Sequence, residues 1–75
     1  MHTSLGAIDV TIETPQSVFV IELKCKKKAS TALAQIHHKR YYEKFLSSGK
    51  KIFLIGLAFN FPKKKLTTDW ISEEL

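Results

Sequence analysis

Two carboxylates and one amine stand in this sequence where strand geometry can bring them together: Asp9, Glu22 and Lys24. Ile8 to Glu13 reads I-D-V-T-I-E, and Val18 to Cys25 reads V-F-V-I-E-L-K-C. The first alternates apolar and polar residues, and the second is rich in β-branched and aromatic ones, so both are expected as strands. Thr14-Pro15-Gln16-Ser17 lies between them. A loop of that length is commonly built on a type I turn, with proline suited to its second position, and it closes an antiparallel hairpin. Glu13 then faces Val18, Ile12 faces Phe19, Val10 faces Ile21 and Ile8 faces Leu23. These six apolar side chains after the Glu13–Val18 pair share one face, and a shared apolar face is what fixes a register. The same register sets Asp9 opposite Glu22 and Ala7 opposite Lys24. Directly opposed residues have Cβ atoms roughly 4.5–5.5 Å apart. Glu22 and Lys24, two apart on one strand, point to the same side as Asp9.

Opposed carboxylates repel, and a cation between them relieves the repulsion. The arrangement suits Mg²⁺ or Mn²⁺: magnesium takes one or two carboxylates and completes its octahedron with water and phosphate. Asp9 and Glu22 are the candidate ligands, and the backbone carbonyl of Leu23 is a further one. A metal held there acidifies a bound water and polarises a scissile phosphate. Lys24 would hold the attacking water and stabilise charge in the transition state. The plainer alternative is a polar sheet face on which Lys24 neutralises two acids, because E-x-K on a strand is common and surface ion pairs cost little.

The elements around this set follow from the rest of the chain. Lys26, Lys27 and Lys28 form a basic stretch, read either as solvated surface or as a rim touching phosphates. Ser30 is the expected cap of a helix over about Thr31 to Leu46. Ala29, Ala32, Leu33 and Ile36 fall on one arc, and Arg40 falls there too, turning the inner face polar. Ser47-Ser48-Gly49 is the expected stop. Ile52 to Phe59 reads I-F-L-I-G-L-A-F, an unbroken apolar run that suits a strand covered on both faces and parallel to the second. A loop with Lys63, Lys64 and Lys65 leads to an edge strand over Leu66 to Ile71, with Trp70 expected inward. The fold expectation is α/β: a small mixed sheet in the order strand-strand-helix-strand-strand. One helix cannot cover both faces, so a missing segment, a neighbouring domain or a second copy in a homodimer must shield the other.

The chain has 75 residues, enough for one domain and a modest core. Hydrophobic residues make up 44% and charged ones 25%, which excludes a disordered chain. A net charge of +5 favours anionic partners such as nucleic acid. The lone Cys25 excludes an internal disulfide and points to a reducing, cytoplasmic setting. It alternates away from Glu22 and Lys24 and is expected as a small core residue. His37 and His38 point about 100° apart on a helix and are expected at the surface. No apolar run nears the roughly 20 residues of a membrane span.

Taken together, L-G-A-I-D-V-T-I-E-T-P, V-F-V-I-E-L-K, A-L-A-Q-I-H-H-K-R-Y-Y and K-I-F-L-I-G-L-A-F resemble the PD-(D/E)xK nuclease superfamily. The resemblance runs from Leu5 to about Trp70. It is narrowest to a branch found at the C-terminus of bacterial proteins with an AAA-ATPase-like N-terminal region. It implies a restriction-endonuclease-like core that hydrolyses DNA phosphodiester bonds with Mg²⁺ or Mn²⁺. Asp9 and Glu22 would be the metal-binding acids and Lys24 the catalytic lysine. Gln35 would match a helix glutamine reaching the metal-bound water or the DNA backbone, and Tyr41 a recurring helix tyrosine at the nucleic acid. It also implies a helix before the first strand, so residues 1–75 are expected as one nuclease-like domain lacking that helix. Ala7 stands where the family often has arginine, and Arg40 where a small residue is frequent. Two other classes stay open: a catalytically silent module that binds nucleic acid or an ATPase partner, and a plain interaction domain.

Overall fold

The computed structural model describes the backbone of residues 2–4, 7–60 and 67–75 and the side chains of residues 9–40, 42–60 and 68–75. The expected loop with Lys63, Lys64 and Lys65, the start of the last strand at Leu66 and the side chain of Tyr41 lie outside them. The strands are β1 (His2–Ser4), β2 (Ala7–Glu13), β3 (Ser17–Cys25), β4 (Lys51–Asn60) and β5 (Thr67–Glu74). They form one five-stranded sheet in chain order. β3 and β4 run parallel and the other neighbours antiparallel, so the sheet is mixed. Helix α1 (Ala29–Lys39) and a 3-10 helix (Tyr41–Phe45) make the β3–β4 crossover. β1 is an element the sequence pattern does not announce.

The hairpin register is the expected one throughout, including Glu13↔Val18, Asp9↔Glu22 and Ala7↔Lys24. Thr14 locks it: its amide donates to the Ser17 carbonyl at 2.8 Å, and its hydroxyl accepts from the Ser17 amide at 2.9 Å. β4 then sets Val20 beside Leu54, Glu22 beside Gly56 and Lys24 beside Ala58. Helix α1 lies over that row. Val18, Val20, Ile36, Ile52 and Leu54 form the core, with Leu33, Tyr42 and Phe45 packed on it. Ala29, Ala32 and Ala58 are buried there as well. Small residues on both sides let helix and sheet approach closely.

Several expectations are corrected. The helix begins at Ala29, with Lys28 as its N-cap and no side-chain cap, so Ser30 does not cap it. It ends at Lys39 rather than Leu46, because Arg40 turns left-handed at φ 55°. Arg40 therefore leaves the inner face for solvent, where it pairs with Glu43. The expected stop at Ser47–Gly49 closes the 3-10 segment instead, with Gly49 at φ 78°. Trp70 pairs with Leu57 on the face away from the helix and is 66% exposed, not packed inward. Cys25 ends β3 on that same face and is exposed rather than in the core. Both departures have one cause: among the described residues no second layer covers that face. Val10, Phe19, Ile21, Leu23, Phe53, Ile55, Leu57 and Phe59 are half-buried there, and Phe19 and Phe53 stack at 5.2 Å.

Gly56 has a specific packing role. A Cβ at this position would lie 2.5 Å from the Ala29 carbonyl oxygen and 2.7 Å from the Leu33 amide nitrogen. Both are helix backbone and cannot rotate aside. Gly56→Ala is expected to cost about 1–3 kcal/mol by forcing α1 off the sheet. Urea denaturation checks it; an unchanged midpoint would show that the helix is not seated against β4 as described.

Candidate functional site

Strand alternation delivers Asp9 and Glu22 to the helix-covered face, and the register makes them direct neighbours. Glu22 is fully buried and is the one charged residue in the core among the described residues. Neither of its oxygens meets a hydrogen-bond donor. Asp9 is nearly as enclosed, its side chain 12% exposed. Lys39, the last residue of α1, brings its ammonium to 3.5 Å from Asp9 Oδ1 and 3.6 Å from Glu22 Oε1. Lys24 lies half-buried on the same face, two residues along β3.

The electrostatics follow from this enclosure. Glu22 is pushed up from 4.5 to about 7, first by burial and then by the adjoining Asp9 carboxyl. Lys39 and then Lys24 pull it back down, but not enough to offset the loss of water. A buried carboxylate with no donor is expensive. The pair forms one acidic pocket with two enclosing cations and spare oxygen lone pairs.

The expected residues are thus partly assembled. Asp9, Glu22 and Lys24 share one face of one hairpin. Leu23 is paired on both sides, with Ile8 and Leu57, so its side chain joins the open face and its carbonyl lies inside the sheet. Gln35 sits half-buried on α1, one turn before Lys39. Lys26, Lys27 and Lys28 are exposed where β3 turns into α1. Of Tyr41 only the backbone position, at the start of the 3-10 helix, is described. His37 and His38 take no part in the pocket; His37 instead meets Glu73 at 2.9 Å and Tyr42 at 3.5 Å, tying α1 to β5.

Lys39 is the residue that sequence reasoning passed over. Its signal was present: it lies seven residues after Ala32 and three after Ile36, both on the buried arc. Assigning the inner polar position to Arg40 depended on a longer helix.

The donor set suits a hard divalent cation. Among the described residues no three His, Cys, Asp or Glu side chains come together. Two carboxylates, one of them buried with unpartnered oxygens, are nonetheless what magnesium uses when water and phosphate supply the rest. Softer metals that need several imidazole or thiolate ligands are not served here.

The raised Glu22 has a measurable consequence. Its folded pKa exceeds its unfolded one, so the folded chain binds the proton more tightly. Stability from this group is therefore full below about pH 4.5 and lost as pH rises through about 7. Without metal, the wild-type urea midpoint should rise from about pH 8 to about pH 5 relative to Glu22→Gln. At about pH 8 the Gln variant should be more stable, by roughly 2–3 kcal/mol. Parallel pH profiles of the two chains would contradict the burial described.

No curated protein and no solved structure matches the chain. The family model of the PD-(D/E)XK nuclease superfamily matches residues 1–70, and members of that superfamily generally use divalent metals. The chain belongs to the PD-(D/E)XK nuclease superfamily.

Proposed function

We propose that this chain is a metal-dependent nuclease domain that hydrolyses phosphodiester bonds in DNA. The observation that carries the proposal is the convergence of Asp9 and buried Glu22, its oxygens without donors, under the end of a helix. A structural ion pair needs no second carboxylate. A silent binding module gains nothing from keeping like charges in contact.

Asp9 and Glu22 would hold Mg²⁺ or Mn²⁺, with the Leu23 carbonyl as a third ligand, since a carbonyl oxygen keeps a second lone pair beside a ladder bond. The cation would acidify a water and take up charge on the phosphate. Lys24 positions that water and stabilises the charge that develops as the phosphorus–oxygen bond breaks. Gln35, on the turn before Lys39, holds the water or the DNA backbone. Lys26, Lys27 and Lys28 surround the N-terminus of α1, whose first turn has no acidic residue. A helix N-terminus already carries partial positive charge, so lysines there repel one another until an anion arrives. They are proposed, with Tyr41, to track the DNA backbone.

Residues 1–75 are read as one such domain, acting in the cytoplasm beside an ATPase-like region of a larger protein. The motif resemblance supports the ATPase region, and the lone exposed Cys25 supports a reducing compartment. Among the described residues no helix is long and apolar enough to cross a membrane.

Digestion of DNA with Mg²⁺ or Mn²⁺ tests the proposal. The wild-type chain should cleave, and Lys24→Ala should lose on the order of 10²–10³-fold in rate while keeping its fold. Cleavage that survives Lys24→Ala at full rate removes Lys24 from the chemistry.

The open sheet face bears on assembly. We propose that two copies pair through the half-buried apolar row around Phe19, Phe53, Ile55 and Leu57, since a contiguous apolar row open to solvent favours cover. Sedimentation should show a concentration-dependent dimer that Ile55→Lys dissociates. A wild-type chain that stays monomeric throughout rules the pairing out.

A further inference from the structure

The Lys39 ammonium sits almost equally far from one oxygen of Asp9 and one of Glu22, at 3.5 and 3.6 Å. It comes from a different element, 30 residues from Asp9 in sequence, and its side chain is only 27% exposed. Neither contact is tight: ammonium–carboxylate bonds usually run about 2.7–2.9 Å. At 3.6 Å Lys39 does not satisfy Glu22, whose two oxygens remain without a donor. A lysine with four rotatable carbons can close such gaps when the interaction is worth it. Here it lies between the two carboxylates and is shared by both.

We propose that Lys39 is a placeholder cation: it holds the divalent-metal position between Asp9 and Glu22 and must be displaced for a metal to bind. This rests on the metal-site reading above. Three features of the structure support it. Among the described residues the Lys39 ammonium is the cation that pairs with both carboxylates, and its charge relieves Glu22 more than that of Lys24 does. With both acids ionised, as above about pH 7, the site does not otherwise tolerate emptiness, because two facing carboxylates under a helix would repel. The two carboxylate contacts are long beside a metal–oxygen bond: a hard dication that bonds oxygen at about 2.0–2.1 Å gains far more from the same atoms. Arg40 stops α1 immediately after Lys39, so the placeholder hangs from a helix end and can swing clear without unwinding a turn. Lys24 and Lys39 then differ in task. Lys24 stays beside the reacting groups, and Lys39 leaves when the metal enters.

The test is Mg²⁺ affinity, read by titration calorimetry without substrate at high pH, so that carboxyl protonation does not mask the effect. Lys39→Met removes the competitor and should bind Mg²⁺ roughly tenfold more tightly than wild type. Lys39→Arg keeps the charge and should stay within about twofold of wild type. A second measurement needs no variant: the Lys39 ε-methylene NMR signal in the wild-type chain should shift along the same Mg²⁺ binding curve as the whole site. If wild type binds and Lys39→Met binds equally or more weakly, with the ε-methylene signal unmoved, Lys39 is a fixed structural partner and the placeholder is overturned. If neither wild type nor Lys39→Met binds Mg²⁺ at millimolar levels, the metal-site reading falls and this inference with it.

Discussion

Two carboxylates held in contact beneath a helix are the constraint on which the rest of the molecule depends. Asp9 and Glu22 are paired across adjacent strands, an arrangement a sheet ordinarily avoids because like charges directly opposite destabilise it. They do not hold themselves there. The opposite face of the same hairpin does, through Val10 against Ile21 and Ile12 against Phe19. Slipping the register by one residue would relieve the acids but turn every one of those apolar side chains over. Hydrophobic pairing on one face thus supplies the free energy that keeps repulsion in place on the other.

The helix completes the enclosure, and its details set the site's electrostatics. Gly56, directly beside Glu22 in the ladder, lets α1 come against the sheet backbone. That approach strips water from Glu22 and raises its pKa to about 7. The left-handed turn at Arg40 ends the helix where Lys39 reaches the pair. A longer helix would carry more residues over the core and leave Lys39 in mid-helix, with less freedom at its backbone. Burial, counter-charge and helix length therefore act on the same few atoms.

The hairpin and its register were legible because both depend on local rules: a four-residue turn and period-two alternation over Ile8 to Cys25. So was the parallel β3–β4 pairing, since an apolar run after a helical segment admits few connections. The helix terminus was not. Arg40 adopts a left-handed conformation that residues other than glycine and asparagine seldom choose, at a cost of about 1–2 kcal/mol, and the bond from its amide to the Ile36 carbonyl and the tertiary packing of Tyr42 and Phe45 on the core help offset it. Trp70 and Cys25 were misplaced for a related reason. Alternation says which residues share a face, but not which face a helix covers. The most apolar row, on Phe19, Ile21, Leu23, Phe53, Ile55 and Leu57, invites the helix on composition alone, yet the helix lies over the row that carries the acids.

That choice of face explains both the buried acids and the half-buried apolar row on the other side of the sheet. Covering the apolar row with α1 would bury more hydrocarbon, by about 25 cal/mol for each Å² removed from water, but would leave Asp9 and Glu22 in solvent. There they would be ordinary acids, with hydrated charges and no shared cation. Covering the acidic row gives up some of that burial and yields two carboxylates with a strong need for a counter-ion. The same act exposes Phe53, Ile55 and Leu57 to whatever can shield them. Among the described residues α1 is the one α-helix available to cover the sheet. By placing it over the charged row, the chain takes Glu22 out of water and keeps its most apolar row at the open face.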